Sequence, residues 1–334
     1  MAVCDEFGLA SFSQKSTYME PMPFHALYDQ TIEEVQLAEE LGFDSVWMGE
    51  HHFSYEGQCP TVWPALARLL AATERIKIGA SVLLLPFHTA ERVAHACAAL
   101  QSISPGRLRL AMGTGYRELE FGAHEVDRTQ RGALRRARME ELRSAPYAEL
   151  MGPTEIWMGG EAKPVLRHAV AYGAPLLVHA DLPHFKVVKQ VVDEELAAGN
   201  GTMPKLGVIR EVWVEEDPVR ARWFRRRYAE LWHHYAGIAN AESPFQTVAT
   251  SAKVDVKETG TGPGITTQDP MDIADMAIIG PPDEVAERLW EFVDAGAEAL
   301  VFHVRVGGMP TAALQENLRR LATEVIPSIR GVVR

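Results

Sequence analysis

Short β-branched or apolar runs alternate with longer amphipathic stretches along nearly the whole chain, and this alternation limits the possible folds more than any other feature. The spacing predicts strands at Phe7–Phe12, Ser45–Gly49, Ile76–Leu85, Leu108–Gly113, Glu155–Gly159, Leu176–His179, Leu206–Val214 and Ala299–Val304. Between and after them it predicts helices at His25–Leu41, Pro60–Ala72, Ala90–Ser102, Arg128–Arg143, Ala162–Tyr172, Pro183–Ala198, Pro218–Tyr235, Asp283–Ala295 and Thr311–Val325. Eight strands, each followed by a helix, point to an α/β fold of the closed (β/α)8 TIM barrel type rather than an open sheet. Several strands are apolar throughout, as expected where both faces are covered. Gly42 and Gly296 stand where helices preceding strands end, the usual place for a left-handed cap. At 334 residues the expectation is one barrel domain over 1–334. The stretch 237–276, rich in Gly, Thr, Ser and Pro, reads as a long insertion or lid before the last strand.

Composition removes several function classes. With 47% hydrophobic residues the chain is too apolar for disorder, and a net charge of −12 disfavours a nucleic-acid partner. Cys4, Cys59 and Cys97 have neither disulfide nor zinc spacing, so no metal is expected. Apolar runs such as 78–87 are too short to span a membrane, and the N-terminal residues lack the pattern of a secretory signal. A cytoplasmic location is the expectation. The arginine clusters 131–143 and 220–227 read as solvated helix faces, and His233-His234 as no metal pair.

In such barrels the reactive groups stand at the C-terminal ends of strands. After the second strand comes Glu50-His51-His52-Phe53. Neighbours on an extended segment point to opposite sides, so the two histidines do not suggest a shared metal. Acid–base work by His51, with Glu50 orienting it, is one reading; a hydrogen-bonded histidine at a strand end is the other. Gly113-Thr114-Gly115 is not a dinucleotide fingerprint, because Glu118 occupies the place of the third glycine.

The stretch 43–53, Phe-Asp-Ser-Val-Trp-Met-Gly-Glu-His-His-Phe, resembles the second-strand signature of the bacterial luciferase-like flavin-dependent monooxygenases. Residues 72–79 with 83–86, 104–108 with 113–117, 279–285 and 324–327 resemble further segments of that family, in order. The resemblance implies a luciferase-like barrel binding flavin at its C-terminal mouth, either reduced FMN used with O2 or the deazaflavin F420. It places His51 on the family's catalytic histidine, which assists the flavin hydroperoxide, and Ser81-Val82 where a non-proline cis peptide lies beside the flavin ring. Gly159, Gly160, Glu161 and Ala162, opening the helix after strand five, would then offer backbone donors to the flavin phosphate, with Lys163 adding charge. The alternative is a plain strand-to-helix turn. Thr114, Gly115 and Tyr116 would form a tight turn beside the flavin; Thr114 stands where some relatives place a phosphate-binding arginine. His179 would face flavin or substrate, or be a structural histidine.

The implied reaction is oxygenation of a small organic substrate through a flavin C4a-hydroperoxide, with reduced FMN supplied by a separate flavin reductase. An F420-dependent dehydrogenase or reductase, or a non-catalytic flavin-binding subunit, are the competing readings. Relatives commonly pair, so a homodimer is expected. The segment 144–154 is shorter than the insertion many relatives carry there.

Overall fold

Among the described residues nine strands, each parallel to its neighbours, form one sheet, and eight of them close it into a ring. The computed structural model describes residues 3–10, 23–53, 59, 61–238, 276–305 and 309–332. The strands are β1 (Glu6–Ala10), β2 (Ser45–Met48), β3 (Lys77–Leu84), β4 (Leu108–Gly113), β5 (Glu155–Gly159), β6 (Leu176–His179), β7 (Leu206–Val214), β8 (Ile278–Gly280) and β9 (Ala299–His303). The ring runs β1 to β7 in order, then β9, which pairs back onto β1 with Glu6 beside Ala299 and Ala10 beside His303. This is the predicted (β/α)8 barrel, with all eight anticipated strands present. The short β8 was not anticipated: three residues are too few to show a period, and the strand is an appendage on the C-terminal end of β7, with Val212 beside Ile278.

The helices are α1 (Phe24–Glu40), α2 (Val62–Ala72), α3 (Ala90–Ile103), α4 (Glu118–Ala123), α5 (Arg131–Leu142), α6 (Tyr147–Met151), α7 (Lys163–Tyr172), α8 (Leu182–Ala197), α9 (Pro218–Ile238), α10 (Pro282–Asp294) and α11 (Thr311–Arg320). The predicted helix over 128–143 is a 3-10 turn followed by α5, and the one over 311–325 is α11 followed by a π-helical turn. The inter-element stretches 118–123 and 147–151 contain α4 and α6, too short for their pattern to register. Gly42 and Gly296 take φ of 81° and 105°, the left-handed caps that let α1 and α10 turn into the next strands. The Thr89 side chain accepts from the Arg92 N–H to cap α3, and Asp181 accepts from the His184 N–H at 2.8 Å to cap α8. The segment 239–275, most of the expected lid, lies outside the described residues.

Two cores result. One fills the space between strands and helices; the other lies inside the ring, where Trp47, Trp157, Ala111, Leu177, Ile209, Ala299 and Val301 meet. Trp47 and Trp157 pack edge to face at 5.3 Å, with the Arg109 guanidinium over both rings. Arg109 pairs with Glu6 and, at 2.7 Å, with Glu155; Lys205 and Lys77 reach the same two carboxylates at 2.9 and 3.1 Å. This charged layer lines the N-terminal pole, the end opposite the one where such barrels carry their chemistry. The three cysteines are free and buried. Among the described residues no helix is long and apolar enough to cross a membrane.

Candidate active site

The carboxyl end of β2 carries the first constellation. The Glu50 carboxylate is buried, accepts from the Leu84 N–H at 2.7 Å and lies 3.0 Å from His88 Nε2 and 3.6 Å from His52 Nε2. His52 turns inward, with its N–H donating to Glu120 at 3.0 Å and Nδ1 3.4 Å from the same oxygen. Arg117, almost fully buried, clamps the carbonyls of His52 and Phe53 and lies 3.4 Å from Glu120. Phe53 thereby holds a left-handed backbone with φ of 52°, uncommon for a bulky residue and frequent at functional turns. His124 stacks on Phe87 at 4.3 Å and meets His52 edge-on at 4.8 Å.

His51, next to the buried His52, is partly exposed. Its backbone bridges to Cys59. Desolvation pushes its imidazole down to about 4, with Arg117 and His52 adding to the effect against Glu120 and Glu50. The imidazole is therefore neutral at physiological pH. The cause is burial, which residue type alone does not reveal. Burial works against the charge of Glu120, but His52 and Arg117 lower its carboxyl overall.

A second constellation forms at the ends of β6, β7 and β9. His179, the last residue of β6, places Nε2 2.6 Å from Glu211 Oε1; the Glu211 side chain is 2% exposed and that of His179 22%. Arg210 lies 3.3 Å from Glu211 Oε2 and donates to the Met276 carbonyl at 2.7 Å. His303, beside Glu211 in the β7–β9 register, places Nδ1 3.6 Å from Oε1, and the Tyr228 hydroxyl donates to the His303 carbonyl at 2.9 Å. Burial opposes the charge of Glu211, yet His179 and Arg210 hold its carboxyl well below the usual range. Burial lowers His303 and raises the Tyr228 phenol. In the ring order β2 and β6 are diametrically opposed, so His51 and His179 come from facing sides of one pole.

The Ser81–Val82 peptide is cis, and the Val82 carbonyl accepts from the Glu50 N–H at 3.3 Å. A Cβ on Gly113 or Gly159 would stand 2.4 or 2.2 Å from a Val82 methyl, so both glycines make room for this side chain. Gly160 differs: it takes φ of 115° and has open space where a Cβ would point. Ala162 and Lys163, at the start of α7, are exposed. Between them and β5 stands Glu161, partly buried, whose carboxyl burial and Asp181 push up to about 7. Thr114, Gly115 and Tyr116 follow β4 and are half-buried; burial pushes the Tyr116 phenol up to about 12.

Sequence reasoning missed Glu120, Arg117, His88 and His124 behind His51, and Glu211, Arg210 and His303 beside His179. The first group reaches His51 from 37 to 73 residues away, and nothing local marks it. His303 was findable, since it ends a strand just as His179 does. Within the expected arginine clusters Arg138 pairs with Glu141 and Arg227 with Glu230 on the surface, but Arg135 is buried against His168 at 2.9 Å.

Residues 6–144 match the model of the luciferase-like monooxygenase family. An F420-dependent glucose-6-phosphate dehydrogenase of Beutenbergia cavernae is 26% identical, covering 88% of this chain and 91% of that protein. An alkanal monooxygenase alpha chain of Photorhabdus luminescens is 27% identical over 50% of this chain and 44% of its own length. Among solved structures, the oxygenating constituent of 3,6-diketocamphane monooxygenase from Pseudomonas putida, in complex with FMN, superposes with a TM-score of 0.73 at 18% identity over 98% of this chain and 99% of that one.

Proposed function

From the match of residues 6–144 to the luciferase-like monooxygenase family we propose that this chain is a flavin-dependent monooxygenase acting on a small organic substrate. In this reading it takes reduced FMN from a separate flavin reductase in the same cytoplasmic compartment, and the bound flavin supplies the electrons that activate O2. The observation that carries it is His51: a neutral imidazole at the barrel mouth, backed by a buried lattice of Glu50, His52, Arg117 and Glu120. Such a group donates or accepts a hydrogen bond without bringing a charge, and its fixed position limits water around it.

FMN would lie along Val82, with Thr114, Gly115 and Tyr116 to one side and its phosphate at Gly160, Ala162 and Lys163. The open Gly160 and exposed Lys163 suit a phosphate; Glu161 suits it only when protonated. The F420-dependent relative that spans nearly the whole chain supports the second reading, an F420-dependent dehydrogenase or reductase on the same barrel. A homodimer packed through the outer helices accompanies either reading; sedimentation at varied concentration tests it.

The deciding experiment is equilibrium binding of FMN and of F420, followed by turnover with and without oxygen. Binding of reduced FMN with flavin-dependent O2 uptake is expected. Binding of F420 alone, with anaerobic hydride transfer, overturns the FMN reading. His51→Ala is expected to reduce turnover about a hundredfold while flavin affinity holds. If that variant equals wild type in every flavin assay, a non-catalytic flavin-binding role replaces both.

A further inference from the structure

We propose that the protein carries a second small-molecule site, outside the strand ring and away from its C-terminal mouth, that takes a small aryl carboxylate. The inference goes beyond the flavin reading and does not rest on it.

Side chains alternate along β4 and β5: Ala111 and Trp157 lie inside the ring, while their neighbours Met112 and Ile156 pack on the helix side. On that outer side a cavity of about 200 Å³ lies between the two strands, α5, α6 and the end of α7. Met112, Met139, Met151, Leu142 and Ile156 form its inner wall, and the first four are buried. Close-packed interiors hold few voids larger than a water molecule, and an apolar void offers water no partners; about 150 Å³ is enough for benzene. The space fits one aromatic ring. Thioethers favour that occupant, because sulfur makes attractive contacts with ring edges and the unbranched methionine chain adjusts to shape.

The rim selects the charge. Arg143, exposed at the end of α5, lays its guanidinium 4.3 Å from the centre of the Tyr172 ring. Stacking uses the face of the guanidinium and leaves the N–H fork at its edge, and among the described residues no carboxylate pairs with it. No carboxylate lines the cavity. One turn before Met139 on α5, the buried Arg135 donates to His168 and adds a second positive charge nearby. The C-terminal ends of α5 and α7 bring partial negative charge to this rim, but a full guanidinium charge in contact with a carboxylate outweighs it. The bound ligand thus sets its ring among the methionines and its two oxygens on the Arg143 fork.

The test needs neither flavin nor oxygen, so it can fail while the flavin reading stands, and the reverse. The probe is benzoate, titrated into the full chain labelled with carbon-13 at its methionine methyls. Expected is saturable binding that moves the signals of Met112, Met139 and Met151, with benzyl alcohol, the same ring without the charge, about tenfold weaker. Cyclohexanecarboxylate, with the charge but no aromatic ring, should also bind more weakly than benzoate. Arg143→Gln, at an exposed position, should bring benzoate to the level of benzyl alcohol and leave benzyl alcohol unchanged. Ala174→Leu, which fills the cavity from the turn after α7, should lose both ligands. If Ala174→Leu does not fold, Arg143→Gln still decides. No saturable binding, shifts confined to methionines outside the cavity, benzoate no tighter than benzyl alcohol or cyclohexanecarboxylate, or a preference for benzoate that survives Arg143→Gln overturns the proposal.

Discussion

Glu161 stands at the start of α7, where a flavin phosphate would bring two negative charges. Its carboxyl, pushed up to about 7, is protonated below that pH and ionised above it. FMN affinity should therefore weaken above about pH 7, by several-fold for roughly 1 kcal/mol of repulsion at a partly exposed site. Riboflavin, lacking the phosphate, should show no such fall. In Glu161→Gln the FMN and riboflavin profiles should approach each other above neutrality; titration by flavin fluorescence checks this, and an unchanged FMN profile would remove Glu161 from the phosphate site. His51 makes the opposite kind of demand. Its folded-state value near 4 lies below the ordinary 6.5, so the unfolded chain binds the proton first and stability falls as pH drops from about 6.5 toward 4. His51→Gln should flatten that part of the stability curve, measured by denaturant unfolding between those pH values.

At the scale of elements, the turn after β2 depends on Arg117, which sits just before α4 and holds two carbonyls and a carboxylate. Arg117→Ala leaves Glu120 and those carbonyls buried without that donor and should cost about 3 kcal/mol, with turnover lost before the fold is. Thr89→Ala, at the cap of α3, should cost only about 1 kcal/mol and change flavin affinity less than Arg117→Ala does. Urea unfolding of both variants beside flavin titration separates the two effects. The elements were legible because each barrel strand repeats one local pattern: an apolar run, a turn, an amphipathic helix. What was not legible lay below that pattern's resolution, as β8 and α6 do, or across it. His51 and Glu50 announced themselves by adjacency. Glu120 and Glu211 did not, because a carboxylate in a helix or strand carries no sign of the imidazole that folding brings to it from 68 or 32 residues away.

At the scale of the molecule, the charged layer of Glu6, Arg109, Glu155, Lys77 and Lys205 ties β1, β3, β4, β5 and the start of β7 together beneath the two tryptophans. Arg109→Met leaves the buried Glu6 with Lys205 alone and should cost about 3 kcal/mol, a large share of a typical domain's stability. Trp157→Ala should cost a similar amount through the cavity it leaves inside the ring. Thermal melts should show both losses. The ring also has a seam: β1 is hydrogen-bonded on one side by β2 and on the other by β9, and the Gly331 N–H reaches the Cys4 carbonyl. A nascent chain leaving the ribosome therefore carries a half-satisfied first strand until residues 299–303 emerge. Throughout that interval an exposed backbone edge invites wrong partners, so a chaperone that shields early strands should raise the yield of folded protein more than one that acts after release.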